Sequence, residues 1–520
     1  MAQIIAQNLG MVFSERLFRN VSFSFGEGDR VGIVGNNGGG KSTLLRCIAG
    51  LIEPTEGSVL RPKHARLGFV AQSAPPALSE FTLREVILDA IPADERESSE
   101  WRVDLVLDGF GAPEDMRERQ LAQLSGGWQR LALLARAWVT DPDFLIIDEP
   151  TNHLDLKKIL MLEMWLNQEV ARTPLLMVSH DRRFLDTCTN RTLFLRPGDS
   201  VIYSYPFSRA RELLSDDDRT LENRKEREMK EMQRLKKSAH NLRQIGVNNY
   251  SAAALRKSIQ IAKRADAIED SLPQTHVEQA RDIKLASRGT HAKRIIGIEN
   301  LTVRRPDGVA LFHIGKLDIG RGERVVLLGR NGIGKTMLVQ RLRAAFKDLD
   351  SARTDGISLP PSVVMGYIDQ NMSQIPDHAL LRDCVSAAHG GGDQRSTALL
   401  ISAGFPLARH TERTSSLSPG ERARLALLMV RLLEPSFYLM DEPTNHLDIA
   451  GQEQLEAEIL AHEATAILVS HDRRFVENTG TRFLVVEDSR VREIDSPSLF
   501  YQALAEDVPL SSLAGQSPTL

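Results

Sequence analysis

The stretch GNNGGGKS at residues 35–42 decides how this chain folds. It follows the apolar run VGIV, and a similar stretch, GRNGIGKT, follows the run VVLL at residues 329–336. In both places an apolar run, a glycine-rich loop and a helix-like pattern succeed one another, which predicts a strand, a turn and a helix. Both loops fit the spacing GxxxxGK[ST]. One such match can be a mere glycine-rich turn, but two matches in the same local context leave little room for that interpretation.

Glycines let the backbone of such a loop curl until its N–H groups point inward, where they can bind phosphate oxygens. Lys41 and Lys335 are expected to reach the outer phosphates of a nucleotide, and Ser42 and Thr336 to bind Mg²⁺. The two loops supply these candidate ATP-binding residues: Gly35, Asn36, Asn37, Gly38, Gly39, Gly40, Lys41, Ser42 and Thr43, then Gly329, Arg330, Asn331, Gly332, Ile333, Gly334, Lys335 and Thr336. The sequence therefore predicts two sites for ATP and Mg²⁺.

Two further stretches occur twice. DEPTNHLD stands at residues 148–155 and 441–448, and SHDRRF stands at residues 179–184 and 470–475. They recur in the same order and at nearly the same spacing, so a unit of roughly two hundred residues has been duplicated. Whatever this unit does is done in two places.

The acids of the octapeptide follow the apolar runs FLII and FYLM, and such strand ends are where α/β sheets bind ligands. Asp148 and Asp441 are expected to hold Mg²⁺ through water, and the glutamate that follows each is expected to polarise the attacking water as general base. Acids that merely cap a strand would not be expected to recur as a pair in both halves. A lone histidine after a strand is more often a packed residue, but its recurrence favours contact with a γ-phosphate. The candidate catalytic residues are Glu149, Glu442, His180 and His471.

The stretches QLSGGWQR at 123–130 and SLSPGERA at 416–423 each begin a helical pattern with a turn that can present N–H groups to an anion. Each lies between the loop and the acids of its own unit, so we expect each turn to serve the nucleotide of the other unit. The candidates here are Ser125, Gly126 and Gly127 in the first signature turn, and Ser418 and Gly420 in the second.

Residues 205–294 match neither repeat, and a basic segment lies among them. From 224 to 264 there are twelve Lys or Arg and three acids, although the whole chain has a net charge of −4. Apolar residues recur every three or four positions, which predicts two antiparallel helices with a tip at 246–251, the first covering about 209–245. We expect the apolar stripe, which includes Met229, Met232, Ile259 and Ala265, to be the seam between these helices. The charge indicates an RNA contact, with a merely solvated helix face as the alternative.

The cysteine content and the lack of long apolar runs bear on where in the cell the protein is expected. The three cysteines are scattered, which argues against a disulfide framework or a zinc site. No secretory signal and no apolar run long enough to span a membrane are visible, so the expected location is the cytoplasm.

The order of these motifs resembles that of the ATP-binding cassette superfamily, and the sequence EPTNHLD resembles that of its F subfamily of translation factors. The resemblance implies an α/β fold with two P-loop ATP-binding cassette domains joined by a long antiparallel α-helical hairpin. By match, Gln72 and Gln370 sense the γ-phosphate, and Asp155 and Asp448 line the interface between the cassettes. The candidate metal ligands are Ser42, Asp148 and Gln72 in the first cassette, and Thr336, Asp441 and Gln370 in the second.

The resemblance also implies a partner. It suggests binding at the tRNA exit site of the ribosome, with the large subunit, ribosomal RNA and transfer RNA reached through the basic hairpin 224–264. We expect a monomer whose two cassettes pair within the chain, and ATP hydrolysis to ADP and phosphate. The expected divisions are 1–204 for the first cassette, 205–294 for the hairpin, 295–500 for the second cassette and 501–520 for a flexible tail.

Two positions depart from the family pattern. Phe13 can stack on adenine in the first cassette, but Arg305 stands at the matching place in the second. In the second signature turn Pro419 stands where the first turn has Gly126, and proline lacks an N–H donor. The chemistry of the site that uses the second turn is therefore expected to be weaker.

Other functions remain open at this point. The chain could be the ATPase subunit of a transporter with separate membrane chains, or a cassette ATPase of DNA repair. If the protein acts on the ribosome, it could be a housekeeping translation factor or an antibiotic-protection factor, because both would use the same chemistry.

Overall fold

The computed structural model describes residues 3–13, 16–152, 154–272, 283–286, 289, 292–390 and 392–512. The chain divides into two compact units. One contains residues 1–202 and 281–520, which include both repeats, and the other contains residues 203–280.

The first repeat alternates strands and helices. Its strands are β1 (Gln3–Val12), β2 (Arg16–Gly26), β3 (Arg30–Val34), β4 (Glu56–Leu60), β5 (Leu67–Val70), β6 (Phe144–Asp148), β7 (Leu175–Val178), β8 (Arg191–Phe194) and β9 (Val201–Tyr203). Its helices are α1 (Lys41–Ala49), α2 (Leu83–Leu88), α3 (Arg96–Gly109), α4 (Glu114–Arg117), α5 (Gly126–Trp138), α6 (Leu156–Gln168) and α7 (Arg182–Cys188).

Two sheets hold the first cassette together. A six-stranded sheet has the order β5-β6-β7-β3-β8-β9, and a three-stranded sheet has the order β2-β1-β4. Apart from Arg30 and Asp148 at their ends, strands β3 and β6 are apolar, as is typical of strands inside a sheet. The neighbouring strands β5-β6-β7-β3-β8 pair in parallel. Leu44 and Ile48 of α1 are fully buried in one cluster with Phe18 and Phe144. The carboxyl ends of β3, β6 and β7 therefore meet at one edge of the sheet, where the loop, the acids and the histidine begin.

The hairpin that follows has two helices, α8 (Phe207–Asn248) and α9 (Ala252–Ser271). With 42 residues, α8 is about 63 Å long. It continues through Asn248, so the tip is shorter than the predicted 246–251, and Gly246 is tolerated inside the helix. The side chain of Ser251 accepts a hydrogen bond from Ala254 N and caps α9, as the pattern predicts.

The apolar seam of the hairpin differs in detail from the prediction. Met232, Ala239 and Ala265 are buried, but Met229 is 38% exposed and Ile259 is 57% exposed. The buried residues of α9 are Ser258 and Ala265. Positions 258 and 265 are two helical turns apart on one face, and Ile259 lies one residue off that face, so including it in the seam was wrong.

The second repeat has the strands β10 (Arg294–Arg304), β11 (Ala310–Gly320), β12 (Arg324–Gly329), β13 (Ile357–Ser358), β14 (Met365–Ile368), β15 (Phe437–Asp441), β16 (Ala466–Val469), β17 (Arg482–Glu487) and β18 (Arg490–Ile494). Its helices are α10 (Lys335–Lys347), α11 (Leu349–Thr354), α12 (Leu381–His389), α13 (Asp393–Ser402), α14 (Pro419–Leu432), α15 (Ile449–Ala461), α16 (Arg473–Thr479) and α17 (Pro497–Glu506). The strands form one sheet in the order β13-β10-β11-β18-β17-β12-β16-β15-β14. The α/β prediction of two P-loop cassettes is confirmed.

Helix α17 changes the expected end of the second cassette. The flexible tail was predicted to begin at 501, but α17 runs through Glu506 and buries Phe500, Tyr501 and Leu504. These side chains share an apolar cluster with Leu156 of α6, so the last helix of the second repeat packs on the first cassette. Their spacing of three and four residues explains why the segment is helical and not a tail. Residues 513–520 lie outside the described residues.

Candidate active site

The glycine-rich loops adopt the same conformation in both halves. Gly40 and Gly334 have φ of 88° and 109°, a left-handed backbone that L side chains rarely adopt. A Cβ at Gly40 would lie 2.9 Å from the ring of Phe18. Glycine is therefore required at this turn for both conformation and space, and the turn places the N-terminus of α1 at the loop.

The lysine of each loop folds back over it. Lys41 Nζ donates to Gly35 O at 2.8 Å and to Asn36 O at 3.1 Å. Lys335 Nζ makes the matching bonds to Gly329 O at 2.7 Å and to Arg330 O at 3.2 Å. Both ammonium groups are thus held at the loop by carbonyl oxygens, a position suited to phosphate oxygens.

The acids at the ends of β6 and β15 are buried. Burial raises the pKa of Asp148, and it raises that of Asp441 to about 6, although hydrogen bonds with Ser42 and Thr336 act in the opposite direction. Among the described atoms, the buried Oδ1 of Asp148 has no hydrogen-bond partner. A buried carboxylate beside a hydroxyl is a ligand set that Mg²⁺ accepts, so these residues fit the ion.

The candidate catalytic pairs are built alike in both cassettes. His180 Nε2 lies 3.2 Å from Glu149 Oε1, and His471 Nε2 lies 3.4 Å from Glu442 Oε1. The backbone N–H of each histidine also donates to the other oxygen of its glutamate, at 3.3 and 3.2 Å. Both glutamates have φ of 53°, which is a strained value for a residue with a side chain. The fold holds these carboxylates in place at a cost in backbone energy.

Burial sets the charge of these pairs. It raises the pKa of Glu149 to about 7 and also raises that of Glu442. It lowers the pKa of His180 to about 3 and that of His471 to about 4, and the nearby lysines add to this effect. Each glutamate can thus exchange a proton near neutral pH, while each histidine stays neutral and acts through hydrogen bonds.

A cavity of about 1520 Å³ joins the two halves. Its walls include these predicted residues: Asn37, Gly38, Gly40, Lys41, Ser42, Thr43, Gln72, Glu149, His180, Asn331, Gly332, Gly334, Lys335, Thr336, Gln370, Ser418, Gly420, Asp441, Glu442 and His471. Other predicted residues do not line it: Phe13, Gly35, Asn36, Gly39, Ser125, Gly126, Gly127, Asp148, Gly329, Arg330 and Ile333. The structure thus brings both loops, both glutamates and the second signature turn to one space.

The second signature turn and the second octapeptide, which contains His446 and Asp448, both face the first loop. Asn37 Nδ2 donates to His446 O at 3.0 Å, and Asn37 N donates to Asp448 Oδ2, also at 3.0 Å. A Cβ at Gly420 would lie 3.0 Å from Asn37 Nδ2. The first signature turn is different, because Ser125, Gly126 and Gly127 do not line the cavity. That the first signature turn binds the nucleotide of the second unit remains a prediction.

Adenine stacking also remains a prediction. Phe13 is 62% exposed and lies outside the cavity wall, whereas Arg305 forms part of that wall. Leu17 and Leu311 line the cavity in the two halves and were not predicted.

Glu421 is a site residue that sequence reasoning missed. It closes a capping box on α14, in which its Oε2 accepts from Ser418 N and Ser418 Oγ, each at 2.9 Å. Burial alone would raise the pKa of Glu421, but the hydrogen bonds from Arg409 and Ser418 outweigh it and lower the pKa to about 2. A permanent negative charge therefore sits at the second signature turn, where the first turn has Trp128. The spacing S-x-x-E was the available signal.

The family model of the ABC transporter family matches residues 18–152 and again residues 312–445. The chain belongs to this family. Both matched regions contain a loop, an acid pair and a signature turn, so both halves of this ABC protein are ATPase domains that bind ATP. The predicted membership of the ATP-binding cassette superfamily is confirmed.

The ABC protein is similar to proteins of the F subfamily. It is 29% identical to ABC transporter F family member 5 of Arabidopsis thaliana, over 93% of this chain and 75% of the relative. It is also 29% identical to the ribosome protection protein VmlR of Bacillus subtilis, over 93% of this chain and 86% of the relative. The fold is similar to that in the complex of archaeal ribosomal stalk protein aP1 and archaeal ribosome recycling factor aABCE1. There the TM-score is 0.61 and the identity 18%, over 92% of this chain and 87% of that chain. In the described part of the ABC protein, no helix combines the length and apolarity needed to cross a membrane.

Proposed function

We propose that this ABC protein is a cytoplasmic ATPase that binds two ATP molecules between its cassettes and acts on the ribosome. The site of action would be the tRNA exit site, where the protein regulates translation or protects it from antibiotics. One observation carries the proposal: along the chain, a basic helical hairpin is inserted between two ATPase domains that have matching glutamate–histidine pairs. The name of the relative VmlR, a ribosome protection protein, supports a ribosomal partner.

The hydrolytic step assigns a role to each matched residue. Glu149 takes a proton from water, the water oxygen bonds to the γ-phosphorus, and the bond from that phosphorus to the bridging oxygen of ADP breaks. Lys41 holds the phosphate charge at the loop. His180 fixes Glu149 through the two contacts described above and can donate a hydrogen bond to a phosphate oxygen. Glu442, Lys335 and His471 would do the same in the second site.

The metal would bind beside each loop. Ser42, Asp148 and Gln72 would hold Mg²⁺ in the first site, and Thr336, Asp441 and Gln370 in the second. When bound, Mg²⁺ neutralises the charge that develops on the phosphate oxygens. Burial raises the pKa of both Asp148 and Asp441, and a cation bound beside them would offset the cost of their buried charge.

Turnover should depend on pH through the glutamates. Because a general base acts only when deprotonated, kcat should be near its maximum above neutral pH. It should fall as pH drops through the pKa of Glu149, which burial raises to about 7. A profile of kcat from about pH 5.5 to about pH 8.5 checks this, with an expected loss of about tenfold per unit on the acid side. A flat profile across that range would contradict the assignment of Glu149 as base.

Exchanging Glu421 for glutamine should tighten ATP binding at the first loop by about three- to tenfold, because it removes a negative charge from the signature turn that faces phosphate. Glutamine can keep the capping box, so α14 should stay intact. Titration of a fluorescent ATP analogue measures the effect. The matched control is Glu412→Gln, since Glu412 binds the same Arg409 at 3.0 Å but does not line the cavity. Equal effects of the two variants would contradict the role given to Glu421.

The hairpin offers its charge to an anionic partner. Of the twelve basic residues, all but Lys225 are exposed. Some are paired within the hairpin, such as Lys236 with Glu269 at 2.6 Å and Arg264 with Glu231 at 3.3 Å. Lys237, Arg243, Arg256 and Lys257 form no ion pair with a described residue, so their charge is available for phosphates of RNA.

Sedimentation of the wild-type protein tests the proposed function. With ATP present, the protein should pellet with purified ribosomes and stay in the supernatant of lipid vesicles. Binding to vesicles with transporter subunits would favour the transporter reading instead. A salt-resistant preference for duplex DNA over ribosomes would favour repair. Either result would overturn the ribosomal proposal.

A further inference from the structure

Six buried charged side chains meet between the two cassettes, and the hydrolytic step described above assigns none of them a role. Two of them, Asp181 and Asp472, also line the ATP cavity. We call these six side chains the arginine cluster. Its members are Glu163, Asp181 and Arg182 of the first cassette, and Glu456, Asp472 and Arg473 of the second. Each of these side chains is at most 10% exposed.

The contacts across the cluster are reciprocal. Arg182 Nη2 bonds to Glu456 Oε1 and lies 3.4 Å from Asp472 Oδ2. In the other direction, Arg473 Nη1 donates to Glu163 Oε2 at 3.0 Å, and Arg473 Nη2 lies 3.7 Å from Asp181 Oδ2. Every one of these contacts joins one cassette to the other. Arginine suits this task because its planar fork can bind two carboxylates at once.

The place of the arginines in the chain links them to the catalytic pairs. Arg182 follows His180 by two residues, and Asp472 follows His471 directly. We call residues 180–182 and 471–473 the histidine segments. They contact each other through the Arg182–Asp472 pair and again through the Arg473–Asp181 pair. The backbone of each histidine in turn holds the glutamate of its own site.

Helix α15 of the second cassette contacts the first ATP site at two points. At its start, Asp448 Oδ2 accepts from Asn37 N in the glycine-rich loop. About two turns later, Glu456 binds Arg182 beside the first histidine segment, and Asn478 Nδ2 donates to the other oxygen of Glu456 at 2.8 Å. Movement of α15 would therefore displace both the first glycine-rich loop and the histidine segment that holds Glu149. Helix α6 carries Glu163 at the matching position.

We infer that Arg182 and Arg473 are positioning residues that couple the two ATP sites, because each fixes the histidine segment of its own site to the opposite cassette. When one site changes state, its histidine segment moves and pulls on the segment of the other site through the arginine cluster. The inference rests on the proposed function in one respect, since it assumes that both sites handle ATP.

The test compares a cluster variant with a control pair. Asp181→Asn with Asp472→Asn removes the charge from both pairs that join the histidine segments, and it leaves each arginine its glutamate. Asparagine can still cap α7 and α16, where Asp181 and Asp472 accept from Phe184 N and Phe475 N, so these helices should stay intact. The control is Arg183→Gln with Glu477→Gln, because Arg183 and Glu477 also join the cassettes, at 2.8 Å, but are 42% and 22% exposed. Exposed pairs of this kind contribute little.

Each protein is measured with and without Glu149→Gln, which blocks the first site. In the wild type and in the control, this block should lower total turnover by about tenfold or more, because the blocked site holds back the other. In the cluster variant the same block should lower turnover by no more than about twofold, since the sites then act alone. Removal of an ordinary packing interaction would lower the rates but would not change this ratio.

A hydrolysis-independent measurement separates this inference from the proposed function. In the Glu149→Gln, Glu442→Gln background, a fluorescent ATP analogue should bind the wild-type cluster with a Hill coefficient above about 1.5, and the cluster variant with a value near about 1. Equal Hill coefficients, or an equal effect of the Glu149 block on turnover, would overturn the inference. If the wild type did not hydrolyse ATP at all, the proposed function would fail, and the binding measurement would still decide the coupling.

Discussion

Exchanging Glu149 and Glu442 together for glutamine is expected to lower ATP turnover by at least about a hundredfold while ATP stays bound. Glutamine keeps the size of each side chain but cannot take a proton from water. The two cassettes should then remain closed on ATP, and the protein should stay on ribosomes and arrest growth when it is overproduced. Steady-state phosphate release and retention of labelled ATP on the protein measure the two effects.

A matched pair of exposed acids controls for the loss of charge. Glu53 lies in the first cassette and Glu299 in the second, and both are exposed. Glu53→Gln with Glu299→Gln should leave turnover and ATP retention as in the wild type. Near-normal turnover in the Glu149, Glu442 variant would remove both glutamates from the mechanism.

Neutralising Lys237, Arg243, Arg256 and Lys257 with glutamine is expected to weaken ribosome binding by at least about tenfold near physiological salt. The dependence of log affinity on log salt should also become shallower, by about one unit for each RNA phosphate that the hairpin no longer neutralises. These residues do not line the ATP cavity, so turnover in the absence of ribosomes should barely change. Ribosome pelleting at several salt concentrations measures the slope.

The hairpin supplies its own control. Lys236→Gln with Glu269→Gln removes a paired positive and negative charge and leaves the net charge of the hairpin unchanged. This variant should pellet like the wild type. If the neutralised protein pelleted as well as the wild type at every salt concentration, the hairpin would be a spacer and not an RNA contact.

The elements that sequence reasoning predicted are those whose signal is local. The glycine-rich loops, the acids after apolar strands and the cap at Ser251 each depend on residues that are neighbours along the chain. Their conformations follow from backbone and side-chain preferences within a few residues. The α/β fold class and the family membership could therefore be predicted from short stretches alone.

The arginine cluster could not be predicted in this way. Arg182 and Glu456 are 274 residues apart, and Arg473 and Glu163 are 310 apart, so no local spacing joins them. The repeated SHDRRF indicates that the arginines matter but not what they bind. Ile259 was misplaced for a related reason, because a helix with apolar residues on neighbouring positions does not reveal which of them its partner covers.

We propose that the two cassettes close on ATP while the hairpin is bound to the ribosome. Cryo-electron microscopy of ribosomes mixed with the Glu149→Gln, Glu442→Gln protein and ATP tests it most directly. We expect density for ATP at both glycine-rich loops, and density for the hairpin against ribosomal RNA or transfer RNA at the tRNA exit site. Ribosomes without the bound protein, or a bound protein whose hairpin touches no RNA, would contradict it.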